Sequence, residues 1–240
     1  MIVLFTDYGI NGPYLGQVEA VLQQYAPGER VINLLADVPR QDPRSGAYLL
    51  AAYSQGFPRG TIFFCVVDPG VGSGKDIPVV IKQDGHWFVG PHNGLFDIVT
   101  RREVVQCWEI TWKPEGLSDT FHGRDLYAPV CAMIVKQQPI PGRKMEFTQR
   151  HAWPDDLHQV VYIDHFGNAI TGIRANQLQE TATLAVGERE IRHAHTFAAV
   201  GRGEPFWYAN ANGLIEIAVN RGSAAEVLKL RPGSEIDVVY

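Results

Sequence analysis

Cysteine is scarce in this 240-residue chain, and the three present, Cys65, Cys107 and Cys131, have no CxxC spacing. They are too few for a disulfide framework, which predicts reduced, buried thiols in a cytoplasmic protein. No Lys/Arg-rich run occurs and the formal net charge is −5, so a phosphate backbone would find no basic patch and nucleic acid is not an expected partner. No apolar run approaches the roughly 20 residues of a membrane-spanning helix. The N-terminal apolar run meets Asp7 too early to serve as a signal-peptide hydrophobic region. What remains is ordinary globular material, 45% hydrophobic and 20% charged, enough for one large core or two modest ones.

The pattern of apolar residues changes along the chain. Up to about residue 136, short β-rich runs alternate with helical stretches, which predicts an α/β domain over 1–140, layered on a mostly parallel sheet. Ile2 to Phe5, Val31 to Leu35 and Thr61 to Val67 read as buried strands. Val18, Val21, Leu22 and Tyr25 recur at helical spacing and Pro27-Gly28 stops them. Asp42-Pro43 supplies a cap and a first-turn proline for a second helix. Residues 141–156, opening on Pro141-Gly142, read as a linker. Beyond it, over 157–240, the helical signal largely disappears. Gln159 to Asp164, Ala169 to Ile173, Glu190 to His193, Leu214 to Val219 and Glu235 to Tyr240 are strand candidates of a small all-β domain.

Asp68 ends the most strand-like run, and in open α/β sheets that edge is where ligands bind. The following Pro69-Gly70-Val71-Gly72-Ser73-Gly74-Lys75 is not a phosphate-binding P-loop, because Pro69 and Asp76 stand where that pattern needs glycine and Ser or Thr. It is either a glycine-rich turn or a loop that brings backbone close to a ligand beside Asp68 and Lys75. His193-Ala194-His195 share a face if extended, yet no Cys, Glu or third His stands at ligand spacing in the sequence, so no metal is expected there.

Three segments carry a family resemblance by their order and separation: Val66-Val67-Asp68-Pro69-Gly70-Val71-Gly72, Thr120-Phe121-His122-Gly123-Arg124-Asp125 and Asp164-His165-Phe166-Gly167-Asn168. Together they resemble the S-adenosyl-L-methionine (SAM) hydrolases, or SAM hydroxide adenosyltransferases, which are related to SAM-dependent fluorinases and chlorinases. The resemblance implies catalytic roles for Asp68 and His122, with Lys75 standing where these hydrolases carry arginine. Lysine is a compact charge on a flexible stem rather than a planar fork of donors, so Lys75 keeps the electrostatic role with poorer geometry or acts as a base itself. Asp7 is similar to the family's ribose-binding aspartate; an ionised carboxylate can accept from both vicinal hydroxyls. Asp164, Phe166 and Asn168 resemble the segment that meets adenine and methionine, and Asn212 resembles part of a further ligand-facing stretch. Gly12, Ala36, His92 and Ala211 depart from the family pattern.

The implied reaction is displacement at the ribose C5′ by activated water, giving adenosine and L-methionine. SAM is then the substrate, and neither metal nor organic cofactor is required. The resemblance also implies a homotrimer whose active sites lie between the N-terminal domain of one subunit and the C-terminal domain of its neighbour. Two other readings stay open: a SAM- or adenosine-binding protein with little turnover, and halide-dependent adenosyl transfer. The second conflicts with the presence of both Asp68 and His122, which the halogenating relatives lack.

Overall fold

A strand flanked on both sides by parallel partners and covered on both faces needs an unbroken apolar run, and Ile2–Thr6, buried along its whole length, is such a strand. The computed structural model describes residues 1–101 and 104–239. Two compact units emerge: Met1–Leu50 with Gly56–Ala152, and Ala51–Gln55 with the chain from Trp153 onward.

The first unit contains, in chain order, β1 (Ile2–Thr6), α1 (Tyr14–Tyr25), β2 (Val31–Leu35), α2 (Pro43–Tyr53, whose last residues fall to the second unit), β3 (Ile62–Val66), β4 (Pro78–Gln83), β5 (His86–Pro91), β6 (Gln106–Ile110), a π-helical turn Gly123–Tyr127, α3 (Ala128–Val135) and β7 (Gly142–Met145). Asp42 caps α2 as expected, its Oδ1 accepting the Ser45 N–H at 3.1 Å. The sheet order is β2-β1-β3-β5-β4-β6-β7. Alternate residues of the central strands, Ile2 and Leu4 with Ile62, Phe64 and Val66, join Val18 and Leu22 of α1 and Val130, Cys131 and Ile134 of α3 in one core. All three cysteines are free and buried; burial pushes the Cys107 thiol up to about 11.

The sheet is mixed rather than mostly parallel. β2, β1, β3 and β5 run parallel, whereas β4, β6 and β7 join antiparallel. The reversal begins at Asp84-Gly85, which sit at φ 46° and 76° and close a tight hairpin pairing Gln83 with His86. The start of the expected linker also differs: residues 142–145 form β7, an exposed edge strand whose Arg143 Nε bonds Glu109 Oε2 of β6 at 2.7 Å. An edge strand with charged side chains carries no apolar alternation and reads as loop.

The second unit holds β8 (Leu157–Ile163), β9 (Ala169–Arg174), β10 (Thr183–Val186), β11 (Arg189–Ile191), β12 (Pro205–Ala209), β13 (Leu214–Val219), the short α4 (Ala224–Val227) and β14 (Asp237–Val239). They make two antiparallel sheets, β12-β13-β9-β8 and β11-β10-β14. Val160, Ile173, Leu184, Trp207, Ile217 and Ile236 fill the core between their strands. The final expected strand residue, Tyr240, lies outside the described residues.

Candidate active site

β1 and β3 are parallel neighbours with Thr6 opposite Val66, so Asp7 and Asp68 leave the sheet at the same C-terminal edge. The Asp7 N–H donates to Val66 O at 3.4 Å, and the Asn93 amide donates to Val67 O at 2.8 Å, holding the backbone that delivers Asp68. Two glycines bring the other half of the site to this edge. A Cβ on Gly72, at φ 76°, would lie 2.3 Å from Asp119 O, and one on Gly123 would lie 2.0 Å from the Tyr8 hydroxyl. Their absence lets the loop after Asp68 lie against the segment leading to His122, and lets His122 approach β1. The result is a cavity of about 240 Å³ lined by Asp7, Tyr8, Tyr14, Asp68, Phe121 and His122 among others. Tyr8, Tyr14 and Phe121 form an aromatic triangle with centroid separations of 5.3–5.9 Å. A wider recess of about 430 Å³ beside α1 and α3 contains none of the expected site residues.

Burial raises the pKa of Asp68; the carboxylates of Asp76 and Asp7 push the same way, against the Gly70 N–H, 3.0 Å from Oδ1, and His122. Burial likewise raises Asp7, against the Gln41 N–H, 2.9 Å from its Oδ2, and Arg40. These are carboxylates more basic than ordinary ones in a partly dry pocket.

The neighbouring charges of the Phe-His-Gly-Arg-Asp run serve the scaffold. Arg124 grips Asp125 through two hydrogen bonds of 2.6 and 2.9 Å and reaches Gln17 of α1 at 3.0 Å. That hydrogen bonding, first among its causes, holds the Asp125 carboxyl below the usual range. Lys75 is exposed and does not line the cavity; its backbone N–H bonds Ser73 Oγ at 3.2 Å. A different cation stands beside the site's acidic loop: Arg150 Nη2 lies 3.4 Å from Asp76 Oδ1. Its position is fixed by Asp97, 0% exposed, whose carboxylate accepts the N–H groups of Arg150 at 3.1 Å and His151 at 2.8 Å. Nothing in sequence spacing links residues 76, 97 and 150.

In the second unit, Asp164, Phe166 and Asn168 line one cavity of about 610 Å³ together with Phe197, Tyr208 and Glu216. Asp164 is an organiser of its own turn: Oδ1 accepts from the N–H groups of Phe166 at 2.9 Å and Asn168 at 2.8 Å, and Oδ2 from the Asn168 amide at 2.9 Å. Phe166 stands 75% exposed at the rim. Asn212 does not line this cavity; it lies in an exposed turn with its N–H on Asn210 Oδ1 at 3.0 Å. Glu216, buried and not singled out from sequence, bonds the Tyr208 hydroxyl and the Asn210 amide instead. Its alternation with Ile215 and Ile217 on β13 places one acidic side chain on a face otherwise apolar, a signal that was available in the sequence.

The expectation that His193 and His195 lack a third ligand does not hold in space. Among the described residues, Glu180 joins them, with one donor atom of each within 4.8 Å of the others. Contact through the fold, not spacing along the chain, brings this carboxylate in.

Comparison with known proteins agrees over the whole length. The model of the SAM hydroxide adenosyltransferase N-terminal domain matches residues 2–143, and that of the C-terminal domain matches residues 158–237. A relative from Thermus thermophilus named (R)-S-adenosyl-L-methionine hydrolase is 33% identical, covering 98% of this chain and 98% of the relative. A fluorinase from Actinopolyspora mzabensis is 25% identical over 99% of this chain and 96% of its own. The crystal structure of an uncharacterized conserved protein from Thermotoga maritima is similar at a TM-score of 0.90 and 29% identity, covering all of both chains.

Proposed function

The chain belongs to the SAM hydroxide adenosyltransferase family, and from that premise we propose that it hydrolyses S-adenosyl-L-methionine to adenosine and L-methionine. The observation that carries the reading is the meeting of Asp68, His122 and Asp7 around one cavity at the C-terminal edge of adjacent parallel strands. The sulfonium of SAM is already a good leaving group, so the reaction needs an aligned nucleophile rather than an acid. Water oxygen forms a bond to C5′ as the C5′–S bond breaks, and the electron pair of that bond leaves on sulfur, giving neutral methionine thioether. The water proton passes to Asp68 or His122, and the raised pKa of Asp68 suits it to accept that proton. Positioning and partial desolvation of the water supply the rate.

Asp7 accepts from the ribose hydroxyls in this reading, and the triangle of Tyr8, Tyr14 and Phe121 offers the nucleoside an apolar wall. Asn168 and Phe166 contact the adenine and methionine portions, with Asp164 holding both in place. Lys75 contributes positive charge from the exposed loop without direct contact. Asn212 is assigned no contact of comparable weight. Neither metal nor organic cofactor takes part in this chemistry. The homotrimer implied by the family resemblance belongs to the same proposal, and light scattering that returns the mass of three chains supports it.

The test is incubation of purified protein with SAM, with and without chloride, and identification of the nucleoside by chromatography and mass spectrometry. Adenosine with equimolar methionine, absent from an Asp68→Ala control, supports hydrolysis. A halogenated nucleoside, or tight binding without product, overturns it.

A further inference from the structure

Outside the candidate active site, one side-chain cluster combines metal-ligating chemistry with a scaffold that holds it. Past Ile191 the chain runs beside β12: Trp207 N–H donates to Arg192 O, and Ala194 N–H donates to Trp207 O, both at 3.0 Å. An extended backbone turns alternate side chains to one side. Ala194 is buried against Phe206 and Ala218, while His193 and His195 project together with ring centroids 4.7 Å apart. Glu180 arrives from the turn before β10, closed by the Ala182 N–H on Gln179 O at 2.9 Å. Its Oε2 lies 3.6 Å from His195 Nε2 and 4.0 Å from His193 Nδ1.

The support beneath this group is built. The Trp207 indole packs against His193 at a centroid distance of 4.6 Å with the ring planes tilted by 51°, and its Nε1–H donates to Ala182 O at 3.1 Å. One buried ring therefore fixes both the strand that carries the histidines and the turn that carries the carboxylate. Ligands of a tetrahedral ion with bonds of about 2.0–2.1 Å stand about 3.3 Å apart. The two carboxylate–imidazole separations, 3.6 and 4.0 Å, exceed that by less than an ångström, and all three donor atoms lie within 4.8 Å of one another, a contraction that rotamer changes of the two exposed side chains, Glu180 and His195, can supply.

We propose that Glu180, His193 and His195 form a binding site for a divalent transition-metal ion of the zinc class, with water completing the coordination. The ion ties the turn before β10 to the segment beside β12. It also anchors His195, two residues before Phe197, which lines the cavity of the second unit. The site shares no residue with the proposed hydrolytic set and needs no part of its chemistry.

The test uses the full-length, untagged protein stripped with chelator. Titration calorimetry with Zn²⁺ should give one ion per chain, and Co²⁺ should give the visible absorption bands of a tetrahedral site. His195→Ala and Glu180→Gln, both at exposed side chains, should leave the circular dichroism spectrum unchanged and each weaken Zn²⁺ binding at least about tenfold. Absence of Zn²⁺ uptake by the unmodified protein overturns the proposal, as does undiminished affinity in the double variant, which would place the ion elsewhere.

Discussion

Asp68 and Asp164 each follow a strand, β3 in the first unit and β8 in the second, yet the same carboxylate is used in opposite ways. Asp164 accepts hydrogen bonds from Phe166, from the Asn168 backbone and from the Asn168 amide. Among the described residues Asp68 accepts one, from Gly70, while burial and the nearby carboxylates make it more basic. A carboxylate committed to its own turn sets geometry, whereas one left with an unengaged oxygen in a drying pocket can take a proton. Resemblance alone places both in a substrate site; the hydrogen bonding separates the proposed base, Asp68, from the organiser of a turn, Asp164.

The sharpest way to break this comparison is to neutralise Asp68. Asp68→Asn should lower turnover by about 10³-fold with little change in melting temperature, measured by adenosine formation and a thermal melt. Equal loss of stability would make Asp68 a structural residue after all. Asp164→Ala should show the reverse balance, costing about 2 kcal/mol of stability from donors left without acceptors. At saturating SAM its turnover should stay far above that of Asp68→Asn.

The acid limb of the pH profile sharpens the contrast further. A base works deprotonated, so activity should fall about tenfold per pH unit as pH drops through the Asp68 pKa. Because that pKa is raised, the fall should begin above the usual carboxylate range and vanish in Asp68→Asn. The smallest effect is expected at Lys75, since it is exposed and off the cavity. Lys75→Met should slow turnover only a few-fold, and Lys75→Arg should restore it, with initial rates at several salt concentrations as the measurement.

Much of the first unit was legible because its information is local. β2 lies at Val31–Leu35 as read, Asp42 caps α2, and Asp68 follows the buried run it was expected to end. The expected mostly parallel pairing holds for β2, β1, β3 and β5 but missed the antiparallel half, although Asp84-Gly85 between two apolar runs is a strong hairpin signal and marks where the sheet turns. β7 left no trace, since Arg143 and Lys144 on an edge look like linker. In the second unit β13 lies at Leu214–Val219 as read, whereas β12, with Phe206, Trp207 and Tyr208 in succession and no polar alternation, was not among the expected strands. The gathering of Glu180 with His193 and His195, and of Asp97 with residues 150 and 151, depends on distant segments meeting. Sequence spacing carries no record of such meetings.

The buried Asp97 has a consequence for the order of events in synthesis. Its carboxylate is fully covered, and the N–H groups that satisfy it belong to Arg150 and His151. A nascent chain halted before residue 150 would hold that charge in an unfinished pocket, where an unpaired buried carboxylate is strongly unfavourable. Completion of the first unit therefore waits for the ribosome to deliver a segment lying beyond the last strand of its sheet.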